Sequence, residues 1–273
     1  MAEAYLNYEK YFNSLEAEWI ILLHGAGGSI ATWKYQKQFL SKTYNLLLID
    51  LRDHGKSNVE NKQNYSFSLI TNDIVKVIEQ QGIEKAHFVT LSFGSVILQH
   101  LSMQYPQYIQ SAIFAGGIFK PGRSIKLFVH AARALNLLLP YKWMYSLFSL
   151  LLMPKRHHQK SRYIYQQQAA KLSSEAYMKW VGLYKEFFHL LANFYQQELT
   201  FPALVVMGSE DYVFLQSAKY FVARRANVDL KVIEGAGHIC NIDQPKNFNQ
   251  MVYHFLLKQT SNPNLANRQC PDY

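Results

Sequence analysis

A chain of 273 residues that is 49% hydrophobic and 17% charged can bury the core of one large domain, which excludes disorder. Two cysteines, Cys240 and Cys270, are too few for a disulfide framework and fit a reducing, cytoplasmic setting. The net charge of +9 sits in one segment: residues 120–199 hold 12 Lys and Arg against 3 Asp and Glu, and the remainder is neutral. Such a patch attracts anions, or is simply the solvated face of a set of helices.

The opening residues MAEAYLNYEKYFN have no basic stretch followed by an apolar one, so no signal peptide is read there. EWIILLHG (18–25) is an apolar run ending in glycine, the pattern of a fully buried strand. Residues 31–44 suit a helix, and NLLLIDL (45–51) is a second buried strand. In residues 68–83, Ile70, Ile74, Val77 and Ile78 share one helical face and Gly82 marks the end. KAHFVTL (85–91) is a third strand, residues 93–105 form a helix stopped by Pro106, and SAIFAGG (111–117) is a fourth strand.

From 120 to 200 the strand rhythm stops and only helical patterns appear. The most apolar stretch, Ala134–Met153, is interrupted by Asn136, Pro140 and Lys142 and reads as two helices meeting at the proline, not as a membrane span. Strands return with ALVVMGSED (203–211) and DLKVIEG (229–235), each followed by a helical pattern; the polar residues 261–273 form a tail that frays. Strands alternating with helices give an α/β fold: a mostly parallel central sheet with helices on both faces. Residues 1–119 and 201–260 form this core, and 120–200 form a helical cap inserted before the strand that carries Asp211 at its end. The insertion belongs at the carboxyl ends of the strands, where open α/β sheets bind ligands.

One strand–helix junction, T-L-S-F-G at 90–94, places Ser92 between two apolar runs. A sharp turn there lifts the serine above the sheet at a helix N-terminus, and small neighbours relieve the crowding. A serine needs a base to act as a nucleophile, and E-G-A-G-H at 234–238 puts His238 in a loop directly after the last strand. A histidine base needs an acid to fix its tautomer; Asp211 and its neighbour Glu210 both stand at the carboxyl end of the strand before.

These motifs resemble the α/β-hydrolase superfamily over nearly the whole chain. Thr90 stands where the family's elbow usually has glycine. The resemblance implies Ser92 as nucleophile, His238 as base and Asp211, in G-S-E-D, as acid. The chain order Ser, Asp, His is the family's own. H-G-A-G-G-S at 24–29 is similar to the family's His-Gly motif and implies the backbone N–H of Ala26 as one oxyanion donor, with that of Phe93 as the other. D-L-R-D-H-G-K-S at 50–57 resembles a family loop in which Asp53 replaces a usual glycine; Asp50, Arg52 and Ser57 read as structural, and His54 as a residue at the edge of the site.

The function implied is a serine hydrolase acting on a carboxylic ester or thioester, without a cofactor. Its substrate is a small acyl compound, and the basic insertion suits an anionic one. The same constellation serves carbon–carbon bond hydrolases and cofactor-free lyases. A non-catalytic chain whose apolar, basic insertion rests on an anionic membrane is the other alternative. The aromatic residues fall at helical spacing on apolar faces, so no nucleic-acid partner is expected. His157 and His158, in K-R-H-H-Q-K, read as a surface patch without a complete ligand set, so no metal is expected either.

Overall fold

A computed structural model describes residues 5–57, 64–120, 122–136, 138–260 and 270–271. In chain order the elements are β1 (Tyr8–Tyr11), β2 (Trp19–Leu23), α1 (Lys34–Leu40), β3 (Asn45–Ile49), α2 (Phe67–Gln80), β4 (Ala86–Leu91), α3 (Phe93–Gln104) and β5 (Ile109–Ala115). Next come α4 (Arg123–Asn136), α5 (Tyr141–Leu152), α6 (Gln159–Ala169), α7 (Ser174–Gly182) and α8 (Tyr184–Gln196). The chain closes with β6 (Ala203–Gly208), α9 (Leu215–Val222), β7 (Val228–Ile233), α10 (Cys240–Asp243) and α11 (Pro245–Gln259).

The seven strands lie in the order β1-β3-β2-β4-β5-β6-β7. All pairs are parallel except β1 with β3. Every residue of β3, β4 and β6 is buried, as runs covered on both faces must be. Helices α1 and α11 pack together in one covering layer, and α2 and α3 in another. The sequence pattern gives no sign of β1. Its four residues, YEKY, alternate between exposed and half-buried, and they are held by pairing with β3 at the sheet edge, not by an apolar run.

Two boundaries differ from the sequence reading. Strand β6 ends at Gly208, so Asp211 stands on the turn beyond it and not on the strand. The helix read over 31–44 is a 3₁₀ turn, Ile30–Trp33, followed by α1. The proline reading between 134 and 153 matches: Pro140 caps α5 after α4 has ended. The tail read at 261–273 lies outside the described residues apart from 270 and 271.

Parallel pairing positions the site. Backbone bonds continue one residue past the strand ends, Ser92 N–H to Ala115 O at 2.9 Å, Gly116 N–H to Val206 O at 2.9 Å and Ser209 N–H to Ile233 O at 3.0 Å. The carboxyl ends of β4, β5, β6 and β7 therefore share one rim, and the loops that follow them meet there. Helices α4–α8 all fall between β5 and β6. Part of this insertion packs on itself through Met144, Ala169, Leu172 and Ala176. Leu152, Trp180, Leu183 and Phe187 join the main core instead. Among the described residues, no helix is long and apolar enough to cross a membrane.

Candidate active site

Ser92 caps the N-terminus of α3 with φ 51° and ψ −119°, a left-handed backbone that costs a non-glycine residue roughly 1–3 kcal/mol. The surroundings hold it there. A Cβ on Gly94 would lie 2.6 Å from the carbonyl oxygens of both Leu23 and His24, so only glycine lets α3 press this closely on the end of β2. Thr90, at the family's usual glycine position, is buried in β4 and donates its hydroxyl to the Ile113 carbonyl at 3.2 Å. The elbow accommodates it.

His238 lies on the loop after β7. Its Nε2 is 2.7 Å from Ser92 Oγ, and its Nδ1 is 2.7 Å from Asp211 Oδ2. Asp211 and His238 are buried, while Ser92 keeps partial access to solvent. A carboxylate only accepts, so Nδ1 carries the proton, and Nε2 is left to accept the serine hydroxyl. The other carboxylate oxygen, Oδ1, accepts the Phe214 N–H at 3.0 Å, which fixes the carboxylate plane. The His238 loop crosses so close to β5 that a Cβ on Gly116 would lie 2.6 Å from the His238 carbonyl. The His238 N–H in turn reaches the Leu152 carbonyl of the insertion at 3.3 Å. Glu210, the local rival of Asp211, faces elsewhere: its Oε2 is 2.8 Å from His157 Nε2 and 3.1 Å from His158 Nε2.

Ala26 and Phe93 flank Ser92 in the wall of the same cavity. A Cβ on Gly25 would lie 3.0 Å from Ser92 Cβ and 3.6 Å from Phe93 N, so the loop after β2 runs directly over the elbow. As the first residue of α3, Phe93 has an N–H with no carbonyl of that helix to pair with.

Two histidines hold this loop. His24 donates Nδ1–H to the Gly25 carbonyl at 2.8 Å and accepts the Leu51 N–H at Nε2 at 3.0 Å. His54 donates Nδ1–H to the Arg52 carbonyl at 2.8 Å and accepts the Gly27 N–H at 2.9 Å. Burial pushes His24 down to about 4; burial and the neighbouring His24 push His54 down to about 3, so both rings are neutral. His54 is thus a buried brace, not a residue at the edge of the site. Sequence reading missed both roles. The two histidines stand in the two motif loops, but no spacing in the sequence says that their rings meet, 5.1 Å apart.

The loop at 50–57 is built as its motif suggested. Asp50 accepts N–H groups from Ile30 at 2.7 Å and Lys56 at 2.9 Å, and the Ser57 hydroxyl donates to the Asp50 carbonyl at 2.7 Å. Arg52 forms a buried two-point pair with Asp73, through Nε to Oδ2 and through Nη2 to Oδ1 at 2.9 Å. Asp53 has φ 56°, the conformation for which glycine is usual.

The cavity beside Ser92 has a volume of about 220 Å³ and mostly apolar walls, with Ile118, Leu152, Trp180 and Phe187 among them. Trp180 also donates its indole N–H to the Arg52 carbonyl at 3.1 Å, tying the insertion to the motif loop. Arg133, on α4, is the only charged residue among the described lining residues. Its guanidinium lies 3.5 Å over the Tyr184 ring and has no carboxylate partner among the described residues.

The surface-patch reading of His157 and His158 needs correction. His158 is fully buried, because the turn before α6 folds onto the core at Glu210 and Asp243.

A family model described as alpha/beta hydrolase fold matches residues 18–245. The RutD protein of Caulobacter vibrioides, which carries the name of a carbamate hydrolase, is 24% identical over 92% of this chain and 95% of its own length. A solved structure from Nitrososphaera gargenis, described with carboxylesterases, superposes with a TM-score of 0.76 at 22% identity, covering 93% of this chain and 94% of that one. The enol-lactonase of Burkholderia xenovorans superposes with a TM-score of 0.71 at 21% identity, covering 92% and 96%.

Proposed function

Because the chain belongs to the α/β-hydrolase fold family, we propose that it is a serine hydrolase cleaving a carboxylic ester or thioester through Ser92, His238 and Asp211. The observation that carries this reading is the unbroken chain Ser92 Oγ, His238 and Asp211, with both bonds at 2.7 Å, opening onto an apolar cavity. In the first half-reaction Ser92 Oγ attacks the acyl carbon while His238 Nε2 takes its proton. The N–H groups of Ala26 and Phe93 hold the developing oxyanion; loss of one such donor typically costs about 10²–10³ in rate. His238 then passes the proton to the leaving alcohol or thiol, and the acyl group stays on Ser92. Water activated by the same imidazole releases the acid.

The substrate's acyl group is apolar, since the cavity wall offers few polar partners. This favours a carboxylic ester over the carbamate in the relatives' name. Where the substrate is anionic, its carboxylate sits at Arg133. In this reading helices α4–α8 act as the cap, since they supply Arg133, Leu152, Trp180 and Phe187 to the cavity. The cytoplasm suits a chain with two cysteines, Cys240 and Cys270.

A fluorophosphonate probe tests the proposal. It should label Ser92 in the folded protein, and Ser92→Ala should abolish both labelling and the hydrolysis of p-nitrophenyl butyrate. Folded protein that resists the probe would sink the reading. Labelling with very slow ester turnover and tight binding of a dicarboxylate would point to a lyase on the same three residues.

A further inference from the structure

A second cluster of ligating side chains lies behind the site, outside the cavity. His157 and His158 form the end of the 3₁₀ turn Arg156–His158 that leads into α6, and Glu210 stands on the turn after β6, next to Asp211. Both Nε2 atoms converge on one oxygen, Glu210 Oε2, at 2.8 and 3.1 Å. The three donor atoms lie within 4.8 Å of one another. His158 is fully buried, yet neither of its ring nitrogens has a hydrogen-bond partner among the described residues. Its Nε2 lies beside the Glu210 carboxylate without being aligned to donate to it, so a buried ring nitrogen stands unpartnered at the cluster. Asp243 completes the surroundings: its Oδ2 is 3.9 Å from His158 Nε2 and accepts the Gly237 N–H at 2.8 Å, while its Oδ1 accepts the Ser161 hydroxyl.

We propose that His157, His158 and Glu210 bind a divalent transition-metal ion of the Zn²⁺ type, which clasps the helical insertion to the core. Two imidazoles and a carboxylate are a donor set of zinc sites. Metal–ligand bonds of about 2.0–2.2 Å in a tetrahedron set the donors roughly 3.3 Å apart, so small shifts of the exposed His157 ring complete the triangle. The fourth position falls to Asp243 or to water. None of the three ligands lines the cavity beside Ser92, so the ion is structural. It holds Glu210, the neighbour of Asp211, and through Asp243 it supports Gly237, the neighbour of His238.

The experiment is a titration of EDTA-stripped full-length protein with Zn²⁺ alone, read by calorimetry and by thermal unfolding. One equivalent should bind, and the unfolding temperature should rise. His157→Ala, at a half-exposed ring whose loss leaves the fold intact, should weaken binding by more than the roughly 10–100-fold that loss of an outer partner costs. It should also remove the thermal shift. Glu210→Gln should do the same. Metal-free His157→Ala should hydrolyse esters as fast as metal-free wild type, which separates this site from the chemistry at Ser92. No saturable binding to wild type would overturn the proposal. So would equal binding by wild type and both variants, which would place the ion on other surface histidines.

Discussion

Asp211 and Glu210 are adjacent in sequence but hold different histidines: Asp211 Oδ2 lies 2.7 Å from His238 Nδ1, and Glu210 Oε2 lies 2.8 Å from His157 Nε2. The turn after β6 points the two carboxylates in different directions, and that division yields the first prediction. In Asp211→Asn, the Phe214 N–H keeps the amide oxygen at Oδ1, so the amide NH₂ is turned toward His238. An NH₂ there requires Nδ1 to accept, which moves the ring proton to Nε2 and disables the base. The turnover number should fall by about 10⁴ with the fold intact. Metal-free Glu210→Gln should stay close to metal-free wild type. Steady-state kinetics on p-nitrophenyl butyrate, beside circular dichroism, measure both; equal losses in the two variants would remove Asp211 from the role given to it.

Gly94→Ala should damage stability and activity together. Its Cβ meets two backbone carbonyls at 2.6 Å, and neither can swing aside as a side chain could. Overpacking of this kind typically costs 1–3 kcal/mol. Relief requires α3 to move away from β2, which shifts Ser92 relative to Ala26. The urea midpoint should drop and ester turnover should fall more than stability alone explains. An unchanged midpoint would show that α3 is not pressed against β2.

Acid should destabilise the protein through His24 and His54. Their folded values, about 4 and about 3, lie below the ordinary 6.5. Between 6.5 and those values the unfolded chain binds protons that the buried rings refuse. Stability therefore rises with pH in that window; it is complete above 6.5 and is lost progressively as pH falls toward 4 and 3. At about pH 5.5 each histidine should cost roughly 1.4 kcal/mol. Urea unfolding at stepped pH measures the loss, and an NMR titration assigns it. Resonances of His24 or His54 that titrate near 6.5 in the folded protein would contradict this.

Arg133→Met should separate anionic from neutral substrates. A charge-assisted hydrogen bond is worth about 1.5–3 kcal/mol, so kcat/KM for a hemi-ester with a free carboxylate should fall roughly 10–100-fold. Methionine keeps the apolar bulk over Tyr184, and neutral esters of the same length should react as before. Equal effects on both substrates would show that Arg133 serves only to pack α4.

The sequence by itself determined the parallel sheet, the helical insertion and the order of Ser92, Asp211 and His238. Each of these is written in local pattern: an apolar run for a strand buried on both faces, helical spacing for a covering layer, and small residues around a sharp turn. β1 escaped because an edge strand is held by its neighbour's backbone and needs no apolar run. Only the tertiary structure decided that Glu210 turns to His157, that His54 braces the loop of Ala26, and that His158 is buried. These outcomes depend on which loops the sheet order brings to one rim and on where the insertion folds back. A side chain's partner across 27 or 53 positions is set by that closure, and nothing in its own neighbourhood encodes it.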